Sequence, residues 1–261
     1  MKLTVLGNCA AQTLEHDTTS FVISHNGKHI LVDCGPSVIK QLLKANIAPQ
    51  DISAVILTHC HGDHIAGYPY YLFMVNAARL MGKDTSNRKI PVIALPSLLN
   101  TADQLVNLQY PVEKLNKHLV EKRPLQNDGN DLIEIESFSI KTFPTNHVVP
   151  SIGIFVEGDG KVIAYSGDTQ YSELVEKSVK GCSLLIHDAF CTEQFAEMAK
   201  DFGHSTALEA GKVAQNSGAD KLILCHPLAF VWANPQSLID EAKSIFSGEV
   251  LLPKDFDVFE F

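Results

Sequence analysis

Four residues of metal-binding type lie within six consecutive positions of this sequence. Residues 59–64 read His-Cys-His-Gly-Asp-His, so the four are His59, His61, Asp63 and His64. Imidazole nitrogens and carboxylate oxygens are ligands of first-row metals, above all of zinc. Three imidazoles and one carboxylate in so short a run therefore predict a metal site rather than a polar surface loop.

The residues on either side of this run predict the elements that hold it. Residues 54–58, Ala-Val-Ile-Leu-Thr, form an apolar and β-branched stretch that is typical of a buried strand. A helical pattern begins at residues 65–68, Ile-Ala-Gly-Tyr. Ligands between the end of a strand and the start of a helix lie on a rigid frame, which a metal site requires.

Other candidate residues lie at similar positions further along the chain. His147, Asp168 and His226 each come shortly after a predicted strand, and His204 comes shortly before a predicted helix. In layered α/β folds, ligands bind at the edge where the carboxyl ends of strands meet. One histidine at a strand end is usually structural, but several at equivalent ends predict a shared site.

Hydrophobic patterning predicts the same order of elements in both halves of the chain. Each half begins with strands and continues with alternating strands and helices. Asn26-Gly27 between two of the strands is a strong hairpin signal. The predicted strands include Leu3–Leu6, Phe21–Ser24, His29–Asp33, Ile90–Leu95, Ile152–Glu157, Lys161–Tyr165, Ser183–His187 and Lys221–Cys225. The predicted helices are one capped by Ser37 and those at Pro69–Met81, Ser97–Leu108, Ser172–Val179, Ala207–Ser217 and Pro235–Phe246. This order predicts an α/β fold of the four-layer αββα sandwich type, in a single domain over residues 1–261.

Composition narrows the class of protein. The chain has 261 residues, of which 45% are hydrophobic and 20% charged, as in ordinary globular proteins. No stretch approaches the roughly 20 apolar residues of a membrane span, and the apolar run after Met1-Lys2 is too short for a signal peptide. Six scattered cysteines without a CxxC pair fit a reduced protein. We therefore expect a soluble, cytoplasmic protein with no membrane partner.

The candidate ligands together resemble those of the metallo-β-lactamase-fold hydrolases, whose core motif is HxHxDH. The resemblance covers nearly the full chain and implies the metallo-β-lactamase fold and two Zn²⁺ per chain, for which Mn²⁺ or Fe could substitute. The ligands that it implies are His59, His61 and His147 for one zinc ion, Asp63, His64 and His226 for the second, and Asp168 as the bridge between them. Flavo-di-iron oxidoreductases of this fold carry a glutamate where this chain has His61, which argues against electron transfer.

Two dications about 3.5–4 Å apart can share a hydroxide, which is a nucleophile at neutral pH. Asp168 as the bridge would fix the distance between the metals, and Asp63 is the candidate to orient the hydroxide or to carry its proton. The outer ring nitrogens of metal-bound histidines need hydrogen-bond acceptors. Asp33 and Asp188 could serve as these acceptors.

Three further segments resemble the ribonuclease Z-like branch of this family. The first is residues 6–8 (Leu-Gly-Asn) followed by Thr19-Ser20, and the others are residues 184–189 (Leu-Leu-Ile-His-Asp-Ala) and 203–206 (Gly-His-Ser-Thr). That branch has a His-Glu-Ala-Thr segment where residues 187–190 here read His-Asp-Ala-Phe. The resemblance implies that His204 contacts the scissile phosphate and either stabilises the transition state or protonates the leaving oxygen.

Two features argue against specific transfer-RNA binding. Members that process transfer RNA carry a long basic arm, usually between the motifs that hold His147 and Asp168, but these residues are only 21 positions apart here. The net charge of −9 also repels nucleic acid, and a phosphate backbone requires several Lys or Arg contacts. We therefore expect a small-molecule or short phosphodiester as the substrate.

The sequence is also compatible with two other activities. Tyr171 comes three residues after Asp168, a spacing similar to that in quorum-quenching lactonases, so a carboxylic ester or lactone is the alternative substrate. A mononuclear-iron dioxygenase of the same fold, which uses a similar HxHxDH motif, is the alternative from another class of enzyme.

The aromatic stretch at residues 68–74, Tyr-Pro-Tyr-Tyr-Leu-Phe-Met, follows the metal motif. It could pack on the sheet, line the substrate pocket or form the face of a homodimer.

Overall fold

Two mixed β-sheets dominate the computed structural model, which describes residues 1–86, 88–110, 118–126 and 129–260. The strands are β1 (Lys2–Gly7), β2 (Ser20–His25), β3 (Lys28–Val32), β4 (Ile52–Ile56), β5 (Ile90–Ala94), β6 (Val120–Pro124), β7 (Leu132–Ile135), β8 (Phe138–Pro144), β9 (Ile152–Gly158), β10 (Lys161–Tyr165), β11 (Leu184–Asp188), β12 (Lys221–Cys225), β13 (Glu249–Leu251) and β14 (Val258–Glu260). The α-helices of the described residues are α1 (Val38–Lys44), α2 (Gly62–Ile65), α3 (Tyr68–Leu80), α4 (Pro96–Gln109), α5 (Glu173–Ser178), α6 (Ala196–Phe202), α7 (Ala207–Ser217) and α8 (Gln236–Lys243).

Within the described residues each sheet has seven strands, and the two sheets have related strand orders. The first has the order β14-β1-β2-β3-β4-β5-β6, with antiparallel pairs from β14 to β3 and parallel pairs from β3 to β6. The second has the order β13-β12-β11-β10-β9-β8-β7, with antiparallel pairs from β7 to β10 and parallel pairs from β10 to β13. The carboxyl ends of β8, β10, β11 and β12 therefore lie at one edge of the second sheet.

Three of the four hydrophobic clusters in the described part of the chain hold the layers together. The inner cluster fills the space between the sheets and includes Ile30 from the first sheet and Ile186 from the second. Because successive side chains of a strand point to opposite faces, the neighbouring Leu31 and Leu185 pack outward, against the helices on each side. Helices α1, α3 and α4 cover the first sheet, and α5, α7 and α8 cover the second. The predicted four-layer αββα sandwich is confirmed.

Local sequence signals account for most of these elements. At the predicted β2–β3 hairpin, Asn26 and Gly27 have φ values of 48° and 71°, as a type I′ turn requires. Ser37 is the N-cap residue of α1, as predicted, but its side chain makes no capping hydrogen bond. Its hydroxyl instead accepts a hydrogen bond from Gln12 Nε2 at 2.6 Å. Within the described parts of the chain, no helix is long and apolar enough to cross a bilayer.

Candidate metal centre

All seven predicted ligands converge at one end of the sandwich, on segments that follow strands. The run at residues 59–64 comes after β4, His147 after β8, Asp168 after β10 and His226 directly after β12. Four of the seven, His59, His64, Asp168 and His226, are almost fully buried. The other three, His61, Asp63 and His147, are partly exposed. The site is therefore accessible from one side, the side of the partly exposed ligands.

The first group of ligands consists of three histidines. His59 Nε2 is 3.2 Å from His61 Nδ1, and His61 Nδ1 is 3.3 Å from His147 Nε2. The three nitrogens lie within 4.8 Å of one another, although His147 is 86 positions from His61 in the sequence. Three imidazole nitrogens that face one point can hold a divalent metal ion.

The second group combines one carboxylate with two histidines. Asp63 Oδ2 lies 3.2 Å from His64 Nε2 and 3.7 Å from His226 Nε2. His226 adopts a left-handed backbone conformation with φ of 62°, which is uncommon for a residue other than glycine. Such backbone strain is often found at functional sites, where the surrounding structure enforces it.

Asp168 contacts both groups through a single oxygen. Its Oδ2 lies 3.5 Å from His59 Nε2 in the first group, and 3.3 Å from His64 Nε2 and 3.2 Å from His226 Nε2 in the second. Both carboxylate oxygens of Asp168 and the Nε2 atom of His64 are buried, and none of the three has a hydrogen-bond partner among the described residues. Buried polar atoms normally have partners, so these orphaned atoms fit a site that binds cations.

The charges around the site also favour a cation. Burial alone would lower the pKa of His64, but the carboxylates of Asp168 and Asp33 outweigh it and hold this pKa well above its usual range. Burial would likewise raise the pKa of Asp168, yet the neighbouring His226, His64 and His59 keep it well below the usual range. These histidines therefore favour the ionised form of Asp168, which is the form in which a carboxylate can bind a metal.

The outer nitrogen of His64 binds a buried carboxylate, as the sequence predicted for Asp33. His64 Nδ1 is 2.8 Å from Asp33 Oδ2, and Thr58 donates to the same carboxylate through its backbone N–H (2.8 Å) and its hydroxyl (2.8 Å to Oδ2). Asp33 has φ of 62°, a conformation that aspartate tolerates better than most residues. This carboxylate fixes the orientation of the His64 ring, and hence of its inward nitrogen.

Three other histidines have partners for their outer nitrogens. His59 Nδ1 is 3.0 Å from the Thr58 hydroxyl, and His226 Nδ1 is 3.0 Å from the Thr19 hydroxyl. His147 Nδ1 lies 2.8 Å from the backbone carbonyl oxygen of Gly203. Thr19 belongs to a segment that resembles the ribonuclease Z-like branch, but its sequence position alone gave no role.

His204 lies beside the predicted ligands, and Asp188 holds it. His204 Nδ1 is 2.8 Å from Asp188 Oδ2, and its ring stacks on Phe190 with centroids 4.2 Å apart and planes at 7°. Burial lowers the pKa of His204, but the Asp188 carboxylate raises it above the usual value. The sequence predicted Asp188 as an acceptor for a metal-bound histidine, whereas in the structure its Oδ2 binds His204 and also accepts from the Thr169 backbone N–H at 3.0 Å.

Tyr171 contacts residues of helices α5 and α7, which cover the second sheet. Its hydroxyl donates to Glu176 Oε2 at 3.1 Å, and Lys212 Nζ lies 4.1 Å from the centroid of its ring. The ring packs against the hydrophobic cluster between the second sheet and its helices. These contacts favour a structural role over the contact with a substrate carbonyl that the lactonase-like spacing suggested.

Comparison with known proteins yields one family and several relatives. The family model described as anti-Pycsar protein Apyc1 matches residues 1–200. The probable metallo-hydrolase YhfI of Bacillus subtilis is 28% identical over 264 residues, which cover 100% of both chains. Ribonuclease Z of Haloferax volcanii is 24% identical over 306 residues, covering 98% of this chain and 93% of that protein.

Comparison with solved structures indicates the same group of proteins. The crystal structure of YhfI from Bacillus subtilis, a metallo-β-lactamase-fold protein, superposes with a TM-score of 0.88 at 25% identity and covers 100% of this chain and 99% of that one. The short form of human tRNase Z superposes with a TM-score of 0.80 at 25% identity, with coverage of 100% and 99%. The resemblance to the ribonuclease Z-like branch of the metallo-β-lactamase fold is confirmed.

Proposed function

We propose that this chain, which belongs to the family described as anti-Pycsar protein Apyc1, is a binuclear zinc phosphodiesterase that cleaves a small phosphodiester. It is a metal-dependent hydrolase with the metallo-β-lactamase fold, in the branch that contains ribonuclease Z and YhfI. The observation that carries the proposal is the position of Asp168 Oδ2, within 3.5 Å of ligand atoms from both groups.

Each part of the centre has a distinct role in this proposal. Two zinc ions, when bound, would supply a hydroxide nucleophile at neutral pH and neutralise charge on the phosphoryl oxygens. Asp168 would set the distance between the two ligand groups. Asp63, whose side chain is 26% exposed, borders the open side and would orient the nucleophile or carry its proton.

His204 is the proposed acid for the leaving oxygen. Its Nδ1 is held by Asp188, which leaves Nε2 as the atom that would donate a proton or a hydrogen bond to the substrate. The ring lies 5.0 Å from that of His147 and 5.1 Å from that of His226, so His204 borders both ligand groups. A positioned acid of this kind typically contributes about 10²–10⁴ in rate.

The surroundings of the centre support a small substrate. The chain between His147 and Asp168 is occupied by the β9–β10 hairpin, which leaves no room there for a long arm. Among the described residues, no lysine or arginine side chain bonds to any of the seven predicted ligands. The ribonuclease Z relatives act on RNA, but transfer-RNA binding requires several cationic contacts to phosphates.

Substrate turnover by the metal-reconstituted protein tests this function. We expect cleavage of bis(p-nitrophenyl) phosphate and of a dinucleotide, but not of a transfer-RNA precursor. Asp168→Ala should abolish the cleavage. Turnover of a lactone or a carboxylic ester with no turnover of either phosphodiester would contradict the proposal and favour the alternative hydrolase.

We also propose that the chain forms a homodimer through the outer face of α1 and α3. Leu43 on α1 and Tyr70 and Phe73 on α3 are large apolar side chains with exposures of 54%, 46% and 40%. Aromatic side chains are enriched at such interfaces. Light scattering should show a dimer that Phe73→Glu dissociates, whereas Leu174→Glu, at an exposed position on α5, should leave it intact. A monomeric wild-type protein would contradict this proposal.

A further inference from the structure

Gly203 connects two parts of the metal centre that are far apart in sequence. Helix α6 ends at this residue, which has φ of +82° and whose N–H donates to the carbonyl of Lys200 at 3.1 Å. The Gly203 carbonyl oxygen lies 2.8 Å from His147 Nδ1, across 56 positions of the sequence. The next residue in the chain is His204. One turn of backbone therefore contacts His147 and leads directly into His204.

The space beside Gly203 is filled by His147 and Val148. A Cβ atom at position 203 would lie 2.9 Å from His147 Nδ1, 2.9 Å from Val148 Cγ1 and 3.0 Å from the backbone nitrogen of Val148. The two contacts at 2.9 Å force a shift, and neither of these atoms is the far end of a long, flexible side chain. The ring of His147 is held on one edge by the Gly203 carbonyl, and its other nitrogen faces His61.

We propose that Gly203 is a positioning residue for metal binding, because the absence of its side chain lets the backbone hold His147 in the ligand orientation. The Gly203 carbonyl fixes the proton on Nδ1, so the lone pair of Nε2 is available toward His61. Any side chain at position 203 moves the His147 ring. The movement breaks the hydrogen bond between Nδ1 and the Gly203 carbonyl, and it turns Nε2 away from His61. This inference rests on the proposed role of His147 as a ligand in a binuclear site.

A second glycine in the same chain provides a matched control. Gly218 ends helix α7 as Gly203 ends α6, and its φ of +74° is close to that of Gly203. A Cβ atom at Gly218, however, would meet nothing within 4 Å. Alanine at either position therefore carries a similar backbone strain, but only Gly203→Ala pushes on a predicted ligand.

Zinc titration of the two variants against a competing chelator tests the proposal. We expect wild type and Gly218→Ala to bind two zinc ions with the same affinities. Gly203→Ala should bind one ion normally and the other roughly 10–100-fold more weakly, which is the usual effect of losing the partner of a metal-bound histidine. His147→Ala should show the same pattern with a larger loss. Equal affinities in Gly203→Ala and Gly218→Ala would overturn the proposal.

The proposal can still be tested if Gly203→Ala does not fold or if the wild-type protein binds a single ion. If Gly203→Ala does not fold, Gly203→Asn replaces it, because asparagine tolerates a positive φ but still carries a Cβ atom. Nitrogen-15 NMR of the histidine rings should show an altered His147 signal in Gly203→Asn and not in Gly218→Asn; an unaltered signal would overturn the proposal. A wild-type protein that binds a single ion would contradict the binuclear function, and the comparison of Gly203→Ala with Gly218→Ala at that ion would still decide the role of Gly203.

Discussion

At the scale of single residues, the centre is defined as much by what holds the histidines as by the histidines themselves. His64 is held by Asp33, His226 by Thr19 and His147 by the Gly203 carbonyl. Each contact binds one ring nitrogen and so directs the other toward the centre. The orientation of these three predicted ligands is thus set by contacts with other residues of the protein.

Replacement of Asp33 should weaken metal binding without disturbing the fold. Asparagine fits the left-handed conformation at this position and has the shape of aspartate, but it lacks the charge beside His64 Nδ1. We expect Asp33→Asn to lower the affinity for one metal ion roughly 10–100-fold. Zinc titration measures this, and Asp220→Asn at an exposed position is the control. An affinity equal to that of wild type would show that Asp33 has only a structural role.

Replacement of His204 should affect turnover rather than metal content. If His204 protonates the leaving oxygen, His204→Ala should slow cleavage of a dinucleotide by about 10²–10⁴. The loss should be smaller for bis(p-nitrophenyl) phosphate, because nitrophenolate leaves without a proton. Steady-state kinetics with both substrates, together with metal analysis, measures the difference. An equal loss on both substrates accompanied by loss of metal would mean that His204 is a ligand instead.

At the scale of elements, the predicted ligands follow four strands whose ends meet at one end of the sandwich. His59 and its neighbours follow β4, and the other ligands follow β8, β10 and β12. The parallel pairs β10–β11 and β11–β12 align their carboxyl ends, so residues 168, 188 and 226 lie close together. The sheet thus provides the rigid frame that a metal site requires.

Tyr171 lies at the start of the segment that leads into α5. Its replacement by phenylalanine shows whether its role is structural or catalytic. Because its hydroxyl donates to Glu176, Tyr171→Phe should lose about 0.5–1.5 kcal/mol of stability and leave turnover unchanged. Urea unfolding and steady-state kinetics measure the two effects. A large fall in kcat without loss of stability would support the lactonase-like role that the spacing from Asp168 suggested.

Sequence patterns predicted the elements with local signals and missed those that depend on tertiary contacts. Helix α7 and strand β12 have the predicted bounds, because a regular apolar period marks each of them. Strands β13 and β14 were not predicted, since three residues are too few to show a period and each forms only by pairing with a sheet edge.

The same division applies to the candidate site. The HxHxDH run is local and was evident from the sequence, whereas the Thr19 contact with His226 spans 207 positions and the Gly203 contact with His147 spans 56. No local pattern reports such contacts. Asp188 illustrates the limit, because the sequence indicated its role as an acceptor but not that its partner would be His204.

At the scale of the whole molecule, the metal centre joins the two sheets. The predicted ligands come from the segment after β4 in the first sheet and from segments after three strands of the second. The inner hydrophobic cluster also combines residues from both halves of the chain, such as Leu3 and Ile186. We propose on this basis that residues 1–261 form a single cooperative domain.

Removal of the metal should therefore destabilise the whole domain. A ligand at a thousandfold excess over its Kd stabilises the folded state by about 4 kcal/mol. We expect chelation to lower the midpoint of thermal unfolding and added zinc to restore it, with one cooperative transition in both states. Differential scanning calorimetry measures this, and Asp168→Ala should lose the response. Two separate transitions in the metal-free protein would contradict the single domain.

The measurement that tests the central claim most directly is the metal content of the purified protein by plasma mass spectrometry, with turnover of bis(p-nitrophenyl) phosphate measured on the same sample. A binuclear phosphodiesterase requires two zinc ions per chain, and Asp168→Ala should lose both turnover and at least one ion. One iron ion per chain without turnover would contradict the account and favour the mononuclear-iron dioxygenase.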